Sequence, residues 1–209
     1  MPDYTIEQEW MQKGYTYICG IDEAGRGPLC GPVVAAACIL PVGLVIDGLN
    51  DSKKLTAKKR EMLYDVIREK AIAYAIAEGS VEEINATNIL EADLLAMRRA
   101  IAALPVPAEV ALIDGNISRD FPIPAQAVVK GDAISMSIAA ASILAKVYRD
   151  RLCEELDAQY PQYGIAKHKG YGTKDHMAAL REHGPAPIYR TKFIRFLDEE
   201  SKNRINLVR

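Results

Sequence analysis

The chain has 209 residues, 49% of them hydrophobic, and a formal net charge of −2. That length and composition suit one compact unit with a sizeable core, and the near-neutral charge excludes a globally basic nucleic-acid binder. The polar opening Met1–Gln12 lacks signal-peptide character, and no apolar run approaches the roughly 20 residues of a membrane span, so a cytoplasmic protein without membrane attachment is expected.

In chain order, residues 4–13 suggest a short helix with Ile6 and Trp10 facing inward. Residues 15–21 and 31–40 read as strands, being apolar and bounded by Gly and Pro. Thr56 is a candidate N-cap for a helix over 57–70, with Met62, Leu63, Val66 and Ile67 as its apolar face. A third strand fits 71–77, and helical patterns return at 81–85 and 89–104, the latter ended by Pro105 and Pro107. Short strands at 109–113 and 125–129 follow, then a long amphipathic helix over about 135–158. Beyond Pro161 come loops, a helix near 174–183 and a polar tail. The alternation predicts an α/β mixed sheet. The four cysteines (Cys19, Cys30, Cys38, Cys153) show neither CxxC nor zinc spacing, so buried reduced thiols are expected.

Three strand-like runs end in acid: Ile21 before Asp22-Glu23, Ile113 before Asp114, and Val129 before Lys130-Gly131-Asp132. Sites in open α/β sheets form at strand ends, so Asp22, Asp114 and Asp132 would converge if their strands are neighbours. Asp22 and Glu23 would face opposite sides of a regular strand; a turn starting at Ala24 is expected to break that alternation and let Glu23 reach back. A cluster of hard oxygen ligands suits Mg²⁺ or Mn²⁺, and two such ions would serve an in-line phosphoryl displacement. Each acid equally fits a plainer role: Asp114-Gly115 and Gly131-Asp132 are turn formers, and Asp132 could cap the helix that follows. Spacing alone leaves the two readings open.

The glycine-rich segment Gly25-Arg26-Gly27 directly after the acid pair could offer backbone N–H groups to a phosphate, or simply be a tight turn. Bare carboxylates repel phosphate, and a divalent cation between the two would resolve that conflict. No Gly-Lys-[Ser/Thr] is present, so a P-loop is not supported. The run Lys58-Lys59-Arg60 reads as a solvated face. Residues 163–195 carry seven Lys/Arg against Asp175 and Glu182, a local net of +5 that would attract a polyanion. Within it, residues 167–174 place Tyr171 between two glycines and several cations, which suits phosphate contacts plus ring stacking, or a surface loop. His168, His176 and His183 have no zinc pattern; surface or capping roles are expected for the last two.

Six ordered segments resemble bacterial ribonuclease HII, of the type 2 ribonuclease H family. They are Asp22–Leu29 with Gly31-Pro32, Leu49–Leu55, Leu112–Asn116, Val129–Asp132, Ala139–Val147 and His168–Thr173, together spanning about Tyr15 to Phe196. The resemblance implies a ribonuclease H-like fold: a five-stranded mixed sheet flanked by helices, with a C-terminal helical extension. One catalytic domain over 1–209 is implied, with an N-terminal extension (about 1–14), a substrate-binding C-terminal segment (about 160–196) and a tail (197–209) to which no motif is assigned. It implies endonucleolytic hydrolysis of RNA in RNA–DNA hybrids and 5′ of single ribonucleotides embedded in duplex DNA, initiating ribonucleotide excision repair. Asp22, Glu23, Asp114 and Asp132 match the family's four catalytic, metal-binding acids, which hold two Mg²⁺ or Mn²⁺ ions. Gly25, Arg26 and Gly27 match the loop that reads the 2′-hydroxyl, and Tyr171 the tyrosine that stacks on the sugar after the ribonucleotide. Ser52, Lys53, Lys54, Ser142 and Lys146 resemble phosphate contacts, and His168 and Lys169 join them as expected substrate-binding residues. A monomer is expected.

Two rival readings remain. A non-catalytic nucleic-acid module on the same fold would gain by losing the four acids, all of which are present. A phosphohydrolase of small nucleotides would need a nucleotide-pocket motif, which is absent, and would not need the +5 segment.

Overall fold

The computed structural model describes residues 1–50, 52 and 55–197. Lys53 and Lys54, and the tail beyond Leu197, lie outside the described residues. The elements run α1 (Thr5–Gln12), β1 (Ile18–Ala24), β2 (Val33–Ile39), α2 (Ala57–Lys70), β3 (Ala73–Gly79), α3 (Val81–Ala86), α4 (Ile89–Ala102), β4 (Val110–Asp114), β5 (Ala125–Val128), α5 (Met136–Gln159), α6 (Ile165–His168) and α7 (Lys174–His183). One sheet has the order β3-β2-β1-β4-β5. Its β1, β2 and β3 pair antiparallel, whereas β1–β4 and β4–β5 are parallel.

Helices cover both faces, so the central strands are apolar on both sides, and the period-2 alternation sorts their side chains into two cores. Cys19, Ile21, Ala35 and Ala37 point to the α4 side, with Leu94, Met97 and Ile101. Val34, Ala36 and Cys38 point to the α5 side, with Ile143 and Leu144 of α5 and Leu63 and Ile67 of α2. All four cysteines are buried free thiols, as expected, and burial raises each of their pKa values. Among the described residues no helix is long and apolar enough to cross a membrane.

The helix α2 begins at its expected cap, and two further caps are found in the structure. Thr56 accepts from the Lys59 N–H, Thr173 from the His176 N–H, and Ser80 with Glu83 forms a capping box. Other expectations change. β1 starts at Ile18 and β3 at Ala73, because the Glu109 carboxylate binds the Thr16 and Tyr17 N–H groups and Ala71 ends α2 in an extended conformation. Met62 is 55% exposed, and the inner face of α2 is Leu63, Tyr64 and Ile67. Asp132 does not cap α5. Ser135 does, accepting from the Ile138 N–H, while Asp132 sits in a short 3₁₀ turn, Gly131–Ala133. Nor is α5 amphipathic throughout: Met136–Ala145 is buried on every side, between the sheet, α2 and the N-terminal segment.

The start of α5 is fixed from two directions. Glu7 of α1, itself buried, accepts from the Ser135 hydroxyl at 2.6 Å and the Ser137 N–H at 3.1 Å. A negative side chain at a helix N-terminus is favourable. From the sheet, β1 approaches so closely that a Cβ at Gly20 would lie 2.1 Å from the Ser137 carbonyl carbon. Beyond α5, the C-terminal segment builds its own core from Cys153, Tyr163, Ile165, Leu180 and Tyr189, against Cys30. His176 is part of it. Contrary to the surface or capping role expected for it, it is fully buried, stacked on His168 at 4.0 Å and hydrogen-bonded to the Tyr189 hydroxyl at 2.8 Å.

Gly20→Ala should lower unfolding stability by about 3 kcal/mol, since backbone on both sides must part to admit the methyl; urea denaturation measures it. Burial pulls the His176 pKa below its ordinary 6.5, so the unfolded chain takes up the proton first. The stability from neutral His176 is then complete above about pH 6.5 and is lost as pH falls through the lowered native value. The melting temperature of the wild type minus that of His176→Gln should therefore fall between pH 7.5 and 5, a difference in which the other titrating groups cancel.

Candidate active site at the β1–β4 edge

Parallel pairing of Ile21 with Ile113 puts the next residues, Asp22 and Asp114, at the same end of neighbouring strands. The expected break at Ala24 does not occur: β1 keeps pairing with β2 through Asp22, Glu23 and Ala24. Alternation therefore holds. Asp22 is opposite Ala36 and turns to the α5 face; Glu23 is opposite Ala35 and turns to the α4 face. The two acids straddle the sheet edge.

Asp22 is almost fully buried, and its Oδ1 accepts from the Glu23 N–H at 2.7 Å. Burial first, then the charges of Glu23 and Asp114, raise its pKa well above the ordinary carboxylate value; the Ser142 hydroxyl works the other way. Ser142 also hydrogen-bonds Ser52 at 2.7 Å. Asp114 Oδ1 accepts from the Gly131 N–H at 2.6 Å, which ties β4 to the turn carrying buried Asp132. Lys130 enters that turn with φ +58°, an uncommon left-handed conformation for a residue other than glycine. Among the described residues no three His, Cys, Asp or Glu side chains form a ready-made metal cage. Asp22 feels the charges of both Glu23 and Asp114.

An open cleft of about 230 Å³ faces Asp22 and Glu23, whereas Asp114 and Asp132 are not among the residues lining it. It is lined by Asp22, Glu23, Gly25, Arg26, Gly27, Ser52, Ser142, Lys146, Arg149 and Tyr171, so most of the expected substrate-binding residues share one surface. Lys146 is paired there with Asp150. Tyr171 is half exposed and stands against the glycine loop, where a Cβ at Gly27 would lie 3.2 Å from its ring. His168 and Lys169 lie outside the cleft lining. Both ring nitrogens of His168 are used within its own loop, on the Tyr163 carbonyl at 2.9 Å and the Gly170 N–H at 3.2 Å. Lys169 reaches Glu154 at 3.2 Å.

Two buried arginines that the motif reading missed hold the glycine loop. Arg190 has no exposed surface and donates to the carbonyls of Gly25 (2.7 Å), Arg26 (3.0 Å), Pro28 (2.8 Å) and Gly31 (2.9 Å). Burial and Arg149 lower its pKa to about 10, so it stays charged. Arg149 donates to the carbonyls of Lys169 at 3.0 Å and Cys30 at 3.3 Å. Gly25, at φ +98°, passes so close that a Cβ would fall 1.9 Å from Arg149 Nε. In a trans peptide the C=O of one residue opposes the N–H of the next. With the Gly25 and Arg26 carbonyls aimed at Arg190, the N–H groups of Arg26 and Gly27 point away from it. Arg190 was counted in the +5 segment; it is unavailable to a polyanion, and Lys167 and Lys192 are engaged by Asp175 and the Thr87 carbonyl. Its position after Ile188-Tyr189 in a short apolar stretch is a faint signal of burial.

The third missed residue is Asp93 of α4. It is 1% exposed, and its Oδ2 lies 3.5 Å from Arg26 Nε. Burial, then Glu23, push its pKa up to about 8, against the opposing effect of Arg26. Arg26 Nη1 also lies 3.7 Å from Glu23 Oε1.

Residues 19–196 match the family model described as Ribonuclease HII. The chain is 62% identical over 174 residues to Ribonuclease HII 1 of Methylibium petroleiphilum, a match covering 83% of this chain and 88% of that protein. To Ribonuclease HII of Dechloromonas aromatica it is 60% identical over 176 residues, covering 84% and 90%. Among solved structures, ribonuclease H2 from Pyrococcus horikoshii OT3 matches with a TM-score of 0.73 at 26% identity, over 88% of this chain and 98% of that one. Bst-RNase HIII, solved in complex with Mn²⁺, shares the fold at a TM-score of 0.58 and 20% identity, over 83% and 72%. The five-stranded mixed sheet flanked by helices is thus a ribonuclease H-like fold, and the chain belongs to the ribonuclease HII family, enzymes of the ribonuclease H endonuclease class.

Proposed function

We propose that this chain hydrolyses the RNA strand of RNA–DNA hybrids and cuts 5′ of single ribonucleotides embedded in duplex DNA, as the first step of their excision. The observation that carries the reading is the meeting, in one cleft, of the mutually repelling Asp22 and Glu23 with a clamped loop whose N–H groups point away from its clamp. The cluster fits divalent ions: all its donors are hard carboxylate oxygens, and of the two causes that raise the Asp22 pKa, burial first and repulsion by Glu23 and Asp114 second, a cation would relieve the repulsion. Mg²⁺ and similar small ions use few protein carboxylates and complete their shell with water and substrate phosphate, so a preformed cage is not required. Asp22, Glu23, Asp114 and Asp132 would hold two such ions, Mg²⁺ or Mn²⁺. When bound, they supply Lewis acidity at the scissile phosphate, an acidified water and charge relief at the leaving 3′-oxygen.

The rest is done by the chain itself. Asp22 and Asp114, fixed by the β1–β4 register, set where the phosphate is attacked. The N–H groups of Arg26 and Gly27 offer donors to the 2′-hydroxyl, the group that separates RNA from DNA at that position. Tyr171 offers a flat face to the next sugar, and Ser52, Ser142 and Lys146 line the cleft for the flanking phosphate; Lys53 and Lys54 are assigned to the same role. Products would carry 5′-phosphate and 3′-hydroxyl. One chain supplies every residue named, in keeping with a cytoplasmic monomer.

Asp114→Asn keeps an oxygen for the Gly131 N–H, so the melting temperature should hold while cleavage of a hybrid in Mg²⁺ drops by several orders of magnitude; near-wild-type cleavage would defeat the assignment. Tyr171→Ala should slow cleavage at a single ribonucleotide by about tenfold, the worth of one aromatic stack, and slow long hybrids less. Equal losses on the two substrates would remove the junction role of Tyr171.

A further inference from the structure

His176 is a polar ring at a place where the fold would accept an apolar one. It has no exposed surface, sits on the first turn of α7, and lies against the rings of His168 and Tyr189. A hydrocarbon ring would fill that space with no polar atoms to satisfy. Instead both nitrogens are engaged: Nδ1 lies 2.9 Å from the Tyr171 carbonyl oxygen and Nε2 lies 2.8 Å from the Tyr189 hydroxyl. A carbonyl only accepts, so Nδ1 carries the proton. Burial lowers the pKa of this ring and raises that of Tyr189, so Nε2 accepts from a hydroxyl that keeps its proton. His168, stacked on it at 4.0 Å, takes the opposite tautomer. Its Nδ1 accepts from the Gly170 N–H at 3.2 Å and its Nε2 donates to the Tyr163 carbonyl at 2.9 Å.

The two rings close on the backbone of one residue. The Tyr171 carbonyl accepts from His176 and from the Thr173 N–H at 2.8 Å, and the Tyr171 N–H donates to the His168 carbonyl at 3.0 Å. Gly170 is held by His168 Nδ1 and, through its carbonyl, by the Leu29 N–H. Lys169 and Gly170 have φ +52° and +83°, so the chain turns sharply just before Tyr171. The half-exposed Tyr171 ring has solvent on one side, and the direction of its Cα–Cβ bond decides where it stands. We infer that His176, backed by His168, is a positioning residue for substrate choice: the pair fixes the Tyr171 backbone so that the ring stands against the Gly25–Gly27 loop, where the sugar after a ribonucleotide would lie. The inference rests on the reading of Tyr171 as the residue that selects the junction. Neither histidine lines the cleft, so both act through Tyr171.

The test compares two shapes of the same loss. Asparagine at 176 puts an amide N–H where Nδ1 stands and keeps the bond to Tyr171; glutamine puts its amide where Nε2 stands and keeps only the bond to Tyr189. The readout is kcat/KM in Mg²⁺ on duplex DNA with one ribonucleotide, divided by kcat/KM on a long RNA–DNA hybrid, both from one preparation of the full chain. That ratio does not depend on how much of the chain is folded. His176→Gln should lower it about threefold, within the worth of one hydrogen bond, while His176→Asn should hold the wild-type ratio. His168→Ala, a change outside the buried core, removes the acceptor of the Gly170 N–H and should lower the ratio as well. In a Tyr171→Ala background none of these changes should move it, because the residue through which they act is gone. Equal ratios for the Asn and Gln variants, an unchanged ratio in His168→Ala, or a fall that persists without Tyr171 would each overturn the inference. Tyr171→Ala alone is the reference. A wild-type ratio there overturns the junction reading together with this inference, whereas a lowered ratio there with no response to His176→Gln overturns this inference alone.

Discussion

The structure around the cleft depends on one buried guanidinium. Arg190 comes 165 residues after Gly25, yet its donors reach the carbonyls of Gly25, Arg26, Pro28 and Gly31. Moving a charge out of water is unfavourable unless its donors are satisfied, and here four carbonyls satisfy it. The dependence runs both ways. Those carbonyls lie in a turn with no strand partner, and without Arg190 they would be buried and unpaired. The C-terminal segment is therefore bound into the ribonuclease H-like core through polar groups that only the correct loop conformation presents. Arg149 adds the same logic from α5, linking the Cys30 carbonyl on one side to the Lys169 carbonyl on the other. The Gly25–Gly27 loop and the Tyr171 loop are thus fixed to each other, and the Leu29 N–H to Gly170 carbonyl bond at 2.8 Å closes the connection.

A second constraint is the alternation of β1. Because the strand runs on through Ala24, Asp22 and Glu23 are served by different layers. Asp22 belongs to the α5 side, with Ser142 and Ser52; Glu23 belongs to the α4 side, with Arg26 and Asp93. Placing both acids on one face would have concentrated their repulsion under a single helix. Splitting them lets each side contribute its own compensating group, hydroxyls on one face and a guanidinium on the other. The edge between them, continued by Asp114 on β4, remains the place where negative charge is least compensated.

Local chemistry made much of the fold legible. Thr56 marks the first residue of α2 because a hydroxyl cap acts within three residues, and Thr173, not anticipated as a cap, does the same for α7. The bounds of β1 and β3 moved because a remote carboxylate, Glu109, and an extended helix end, Ala71, decide them. Met62 fits the helical period as well as Leu63 does, but the sheet covers only one of them. The four acids and Tyr171 were singled out as site residues only through ordered motifs; spacing alone left turn formers and ligands equally open. Arg149, Arg190 and Asp93 were not legible, since a charged residue in sequence carries no mark of burial when its partners lie far away in the chain. For the same reason the +5 count of the C-terminal segment overstated its free charge by including Arg190.

These burials explain how the protein can keep a strained edge. The acid cluster works against folding: burial and then its acidic neighbours raise the Asp22 pKa, and Lys130 holds a left-handed backbone beside Asp132. Such strain persists only where the surroundings over-determine it. Here they do so from three sides. Glu7 and Gly20 fix the start of α5, immediately after the Asp132 turn, through a buried carboxylate and a backbone contact. Arg149 and Arg190 fix the loop that follows Glu23. The Ile21–Ile113 register fixes Asp22 against Asp114 and cannot slip by one residue without turning every side chain of β1 into the wrong core. Local movement is therefore restrained on the elements that carry the acids, and their repulsion is relieved by taking up a proton or, on the proposed reading, by a divalent cation.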